Sequence, residues 1–176
     1  KDPVVNQLFR ECQVRITSIA LLHETLHRSH DLSRIKMGDY IRTLTGHLFR
    51  SYGVDPNLIS LELNVDDVEF DIDTGLTCGL IIDELVSNCL KHAFIDDNGG
   101  TVHIDLLDHV DGTFTLCVSD NGIGIPKDGV LNNPDSLGLE LVTLLAEKLD
   151  GSTELRSGAG TEWQIRFQQL QYSERV

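Results

Sequence analysis

Glu84-Leu85-Val86-Ser87-Asn88-Cys89-Leu90-Lys91-His92-Ala93-Phe94 is the stretch on which the fold of this 176-residue chain turns. Upstream, Leu76, Leu80, Ile81 and Leu85 recur at helical spacing. Asp71 or Asp73 stands where an N-cap belongs, so the spacing predicts one helix from there through Phe94. Glu84, Asn88 and Lys91 are spaced four and three apart and share a face, with His92 beside them. A core helix thus carries a carboxylate, an amide and two basic groups together. Carboxylate and amide oxygens suit a magnesium ion, which takes hard oxygen ligands and keeps several waters. A lysine supplies a point charge for phosphate. The plain alternative for such a face is a solvated polar surface.

Two further stretches follow in order. Asp120-Asn121-Gly122-Ile123-Gly124-Ile125-Pro126 comes directly after an apolar strand pattern, Phe114 to Val118. A carboxylate at a strand end can accept a hydrogen bond from an exocyclic amino group, and the glycines let backbone approach a ring closely. Asp-Asn-Gly is also a common turn. Ser136-Leu137-Gly138-Leu139-Glu140-Leu141 then opens a helix, whose free backbone amides suit phosphate; simple helix capping by Ser136 is the plain alternative. Gly158-Ala159-Gly160-Thr161 lies beyond and by itself reads as a hairpin turn.

Working outward, Asp2-Pro3 starts an amphipathic helix whose stripe is Val5, Leu8, Cys12, Ile16, Ile19, Leu22 and Leu26. Its length suits packing on another helix, in this chain or another subunit. A second helix is expected from Gly38 to Tyr52, ended by Gly53. Strands are expected at 58–65, 101–110, 113–119, 153–156 and 161–168, with Asp111-Gly112 as a hairpin turn. A helix is expected over 137–149, closed by Asp150-Gly151. Residues 120 to 136 are expected as loop, and the part from 123 to 136 would lie over a ligand as a flexible lid. The resulting fold class is α+β, a two-layer sandwich with helices on one face of a mainly antiparallel sheet, preceded by a helical segment. The expected domains are 1–35, helical; 36–170, the sandwich; and 171–176, a frayed tail.

Composition excludes several classes. The net charge is −14, which opposes binding to nucleic acid or to an anionic membrane surface. Acidity of this kind mainly serves solubility. No apolar run approaches the roughly 18 residues of a membrane span. Cys12, Cys78, Cys89 and Cys117 are scattered without a Cys-x-x-Cys pair. A zinc site is therefore not expected, and Cys78, Cys89 and Cys117, which lie in apolar runs, read as small core residues in a reducing, cytoplasmic setting.

The ordered set Glu84…Asn88…Lys91-His92-Ala93-Phe94, Asp120-x-Gly122-x-Gly124, Gly138-Leu139 and Gly160-Thr161 resembles the GHKL ATPase superfamily. That group holds histidine kinases, large heat-shock chaperones, type II topoisomerases and MutL repair proteins. The stretch from Arg15 to Leu26, with Leu32 to Ile35 and Tyr40 to Leu44, is similar to sensor histidine kinases with a His-Arg-Val-Lys-Asn-Asn type phosphoacceptor motif. The resemblance implies a Bergerat-type ATP-binding fold, with 1–35 the last part of a dimerisation hairpin. It implies ATP and Mg2+ as cofactors, and transfer of the γ-phosphoryl group to a histidine. Glu84 would be catalytic and, with Asn88, metal-binding. Lys91 and His92 would contact phosphates, Asp120 and Thr161 would read adenine, and Gly122, Gly124, Gly138, Leu139 and Gly160 would shape the pocket. The implied partners are a response regulator and a second kinase subunit.

The acceptor motif itself is not found among the seven histidines, and an acceptor upstream of the chain is expected. His23 and His27 read as solvated or interfacial helix residues. Two other readings share the fold. One is an anti-sigma-factor-type serine kinase, against which the long N-terminal stripe speaks. The other is a degenerate scaffold module, against which the intact Glu84, Asn88, Asp120 and glycine boxes speak.

Overall fold

A computed structural model describes residues 16, 17, 20, 33–94, 99–125 and 136–169. Ile16, Thr17 and Ala20 are helical. The rest of the expected Val5–Leu26 helix, most of the expected lid and the expected frayed tail lie outside the described residues.

The chain runs β1 (Arg34–Lys36), α1 (Met37–Ser51), β2 (Ile59–Val65), β3 (Glu69–Asp71), α2 (Ile72–Asn88) and a π-helical turn (Cys89–Ala93). It continues through β4 (Gly100–Asp108), β5 (Thr113–Asp120), α3 (Ser136–Lys148), β6 (Ser152–Gly158) and β7 (Gly160–Gln168). Five strands form one sheet in the order β2-β4-β5-β7-β6, and β1 pairs with β3 in a small separate sheet. β2 runs parallel to β4, and the other pairs in the large sheet are antiparallel. The parallel pair requires a crossover, and α2 supplies it.

Strand alternation sorts the sheet into two faces. Val102, Ile104, Leu106, Leu116, Val118, Ile165 and Phe167 are buried together with Ile41, Leu44 and Leu48 of α1, Ile81, Ile82 and Leu85 of α2, and Val142 and Ala146 of α3. The alternate positions carry polar pairs such as Ser60–Thr101 and Asn64–Asp105. The architecture is therefore the two-layer sandwich expected.

The small sheet is fastened to the large one by aromatic contacts. Phe70 of β3 meets Phe114 edge-on at 4.8 Å between ring centroids and Phe167 at 5.8 Å. Geometry of this kind is favourable beyond the area it buries.

Helix ends follow local chemistry. Asp71 caps α2: its Oδ1 accepts the Thr74 N–H at 2.9 Å and its Oδ2 accepts the Thr74 hydroxyl at 2.8 Å. The end of α1 is closed by Gly53 N–H to Arg50 C=O and Val54 N–H to Phe49 C=O, the Schellman pattern. α3 closes the same way through Asp150 and Gly151, but the positive φ (50°) falls on Asp150. Gly151 is needed for a different reason: a Cβ there would lie 2.7 Å from the Arg166 carbonyl oxygen.

Several details differ from expectation. β1 and β3 were not anticipated, because three-residue strands are too short to show alternation. β4 ends at Asp108, not Val110, and residues 109–112 form the turn, with Gly112 N–H bonded to His109 C=O. α3 begins at Ser136 rather than Leu137. The long central helix does not reach Phe94 as an α-helix; it widens into the π turn after Asn88.

Candidate functional site

The site is built around the C-terminal end of α2. Glu84 and Asn88 both lie within the α-helical part, so the four-residue spacing holds for them. It does not extend to Lys91 and His92. In a π turn the backbone bonds i to i+5, and the angular step per residue is smaller. Lys91 is half-buried there and His92 exposed.

Glu84 is buried, and its carboxylate lies against the start of α3. A Cβ built on Gly138 would stand 2.7 Å from Glu84 Oε2. The glycine that opens this helix thus makes room for the carboxylate, and Leu139 beside it packs on the core.

Asp120 occupies the last position of β5, and its neighbour across the ladder is Thr161 of β7. Its side chain points to the helical face and is buried. Oδ1 accepts the Gly122 N–H at 2.9 Å, forming an Asx turn. Oδ2 lies 3.4 Å from the Cys89 Sγ, which donates to it. Cys89 belongs to the π turn, so the two oxygens of Asp120 are held from two different elements. Burial first, and then the charge of Asp120, raises the Cys89 thiol well above its ordinary value, which keeps the donor proton on sulfur.

The glycines of the site are fixed by the protein's own backbone. A Cβ on Gly122 would meet the Ala93 carbonyl oxygen, and Ile123 N–H bonds that same oxygen at 3.0 Å. Gly124 (φ 72°) is pressed against the carbonyls of Gly158 and Gly160. Gly160 (φ 108°) approaches Asp120 so closely that a Cβ would collide with the Asp120 carbonyl oxygen. The loop after β5 is therefore clamped between the π turn and the β6–β7 hairpin.

The structure brings together Glu84 with Gly138, and Asp120 with Thr161, Gly122 and Gly160. Cys89 joins the second group, although it read as ordinary core. The available signal was its place one residue after Asn88 on the site helix. Among the described residues no group of three or more His, Cys, Asp or Glu side chains converges as a cation cage, and no helix is long and apolar enough to cross a membrane. Cys78, Cys89 and Cys117 are free thiols.

Helices layered on one face of a mixed sheet, with a buried strand-end carboxylate and a glycine-led helix beside a site glutamate, define a class of ATPase domain. Residues 75–171 match the family described as histidine kinase-, DNA gyrase B-, and HSP90-like ATPase, and the chain belongs to it. Residues 1–52 match a second family, described as histidine kinase. The chain is 32% identical over 157 residues to the sensor histidine kinase PdtaS of Mycobacterium tuberculosis, an alignment covering 86% of this chain and 30% of that protein. It is 31% identical over 104 residues to blue-light-activated histidine kinase 2 of Erythrobacter litoralis, covering 58% of this chain and 30% of that protein. The chain thus spans about a third of the length of these curated relatives. Among solved structures, the histidine kinase domain of an Erythrobacter litoralis blue-light activated kinase superposes with a TM-score of 0.77 at 23% identity, covering 89% of this chain and 74% of that one. At that identity the likeness speaks for the fold.

Proposed function

We propose that this chain binds ATP with magnesium and transfers the γ-phosphoryl group to a histidine, as the ATPase part of a two-component sensor kinase. The observation that carries the reading is that one helix end touches both halves of the site. Glu84 meets the glycine-led start of α3, and five residues on Cys89 meets Asp120. A nucleotide lying along that end would have its base at Asp120 and Thr161 and its phosphates toward Glu84, Asn88 and Lys91.

Asp120 accepts the adenine amino group, and Thr161 stands beside it. Lys91 and His92 neutralise phosphate charge, and the amides at the start of α3 add to this. Glu84 orients the attacking imidazole and receives its proton. The imidazole nitrogen bonds to the γ-phosphorus as the bond to the bridging oxygen breaks and ADP departs. The residues present suit a magnesium ion, for which Asn88 and Glu84 would offer oxygen donors. When bound, that ion offsets the charge of the transferring phosphates. A second kinase subunit pairs through the N-terminal helix, and the phosphoryl group passes on to a response regulator in the cytoplasm.

The test is calorimetric titration of the chain with ATP and GTP, with and without magnesium. Magnesium-dependent binding of ATP with GTP rejected is the expected result. Asp120→Asn should lose roughly 1.5–3 kcal/mol of ATP affinity by removing a charged acceptor. Asn88→Ala should abolish most of the magnesium dependence. Wild-type affinity in Asp120→Asn refutes the adenine assignment, and equal affinity with and without magnesium in every protein refutes the metal assignment.

A further inference from the structure

We infer that Cys89 is a positioning residue for adenine recognition: its buried thiol holds Oδ2 of Asp120 while the Gly122 N–H holds Oδ1, fixing the carboxylate in the orientation that reads the base. The inference rests on the reading of Asp120 as the adenine acceptor and adds the residue that aims it.

A carboxylate on a single Cβ has two torsions to set. The Asx turn to Gly122 N–H, at 2.9 Å, constrains one oxygen but leaves the plane of the group free to swing about that contact. The second donor removes this freedom, because it comes from a different element. Both partners are shielded from water, Cys89 being 8% and Asp120 7% exposed, so no solvent hydrogen bond replaces the thiol if it is lost. A thiol is a weak donor. It occupies one acceptor position on Oδ2 and leaves the carboxylate with acceptor capacity for a ligand amine. The π turn is what makes the contact: it carries Cys89 at its first position and presents the Ala93 carbonyl to Ile123 at its last. The same turn therefore grips the Asp120 side chain and the loop that follows it.

This role differs from packing in what it controls. A core cysteine supports every ligand equally, whereas a residue that aims Asp120 matters only for ligands with an amino group to read. Inosine triphosphate separates the two, since it keeps the sugar, phosphates and ring size of ATP and carries an oxo group in place of the amine.

The experiment measures calorimetric affinity for magnesium-ATP and magnesium-inosine triphosphate in the whole chain, for wild type, Cys89→Ala, Cys89→Val, Cys89→Ser and Asp120→Asn. Thermal unfolding is followed in parallel. Cys89→Val refills the volume without a donor, so a fold defect confined to Cys89→Ala does not stop the test. The expected result is a roughly three- to tenfold loss of ATP affinity in both non-donor variants, with inosine triphosphate affinity unchanged. Cys89→Ser should recover most of the ATP preference, because it retains an O–H donor. An unchanged ATP-to-inosine preference in the non-donor variants, or equal loss for both nucleotides, overturns the assignment. If Asp120→Asn collapses the preference while the cysteine variants do not, only the role of Cys89 fails. If Asp120→Asn also leaves it unchanged, the reading of Asp120 fails with it.

Discussion

Gly138→Ala is the substitution that best separates folding from chemistry in this domain. Its Cβ would stand 2.7 Å from Glu84 Oε2, and reaching an ordinary contact at 3.4 Å requires the oxygen to retreat by about 0.7 Å. The obstructing atom is the tip of a flexible side chain, so the fold tolerates the change. Alanine also favours a helix over glycine by up to about 1 kcal/mol. Near the helix start only part of that is gained, so the melting temperature should hold or rise by about 2 °C for a chain of this size. The displaced group is the one assigned to orient the attacking imidazole. Misplacement on the scale of 1 Å costs on the order of a hundredfold in rate. The assay is single-turnover transfer of labelled γ-phosphate in a polypeptide that joins this chain to its acceptor histidine, with unfolding measured on the same preparation. A ten- to hundredfold slower transfer at unchanged or raised stability is expected. Wild-type transfer with intact folding would show that the position of Glu84 does not limit the reaction.

Three other substitutions probe the frame around the site. Gly160→Ala places a Cβ onto the Asp120 carbonyl at φ 108°, with rigid backbone on the other side; a stability loss of at least about 2 kcal/mol in urea denaturation is expected, together with loss of ATP binding. Asp150→Gly relieves a side chain held at positive φ and should raise stability by about 0.5–1 kcal/mol by the same measurement. Asp71→Ala removes the α2 cap and should cost about 1 kcal/mol at neutral pH. Burial would raise the Asp71 carboxyl, but hydrogen bonds from Thr74 and Gln169 outweigh it and hold the group below its ordinary value. A depressed folded-state value means that the contribution is present above pH 4 and is lost as pH falls through the folded-state value. The urea midpoint of the wild type should therefore fall more steeply than that of Asp71→Ala as pH is lowered below 4.

The elements that the chain announces most clearly are those with enough residues to show a period. α1, α2 and the strands β2, β4, β5 and β7 all carry it, and the order of motifs along them gave the ATPase resemblance. What stayed hidden depended on contacts between distant residues. Alternation in β2 says that one face is buried but not that its partner β4 runs parallel. The π turn has no distinct composition, since Cys89 to Ala93 would suit an ordinary α-helix. Gly122 was expected to admit a ligand ring, whereas its missing Cβ accommodates the Ala93 carbonyl. Cys89 read as core because a thiol is apolar enough to be buried without explanation. Only the approach of β5 to the end of α2 shows that its proton is directed at Asp120.

The sheet order has a consequence for how the domain is made. β7 lies between β5 and β6, so the last strand among the described residues enters the interior of the sheet. Thr161 becomes the neighbour of Asp120 only when it does. During synthesis the carboxylate is made some forty residues before the strand that completes its surroundings. Until β7 is seated, β5 presents an unpaired edge of the kind that recruits other strands. A chain stopped before residue 160 would thus be expected to lack the base-binding half of the site and to self-associate, whereas a nucleotide added during refolding would favour the step in which the final strand slots into place.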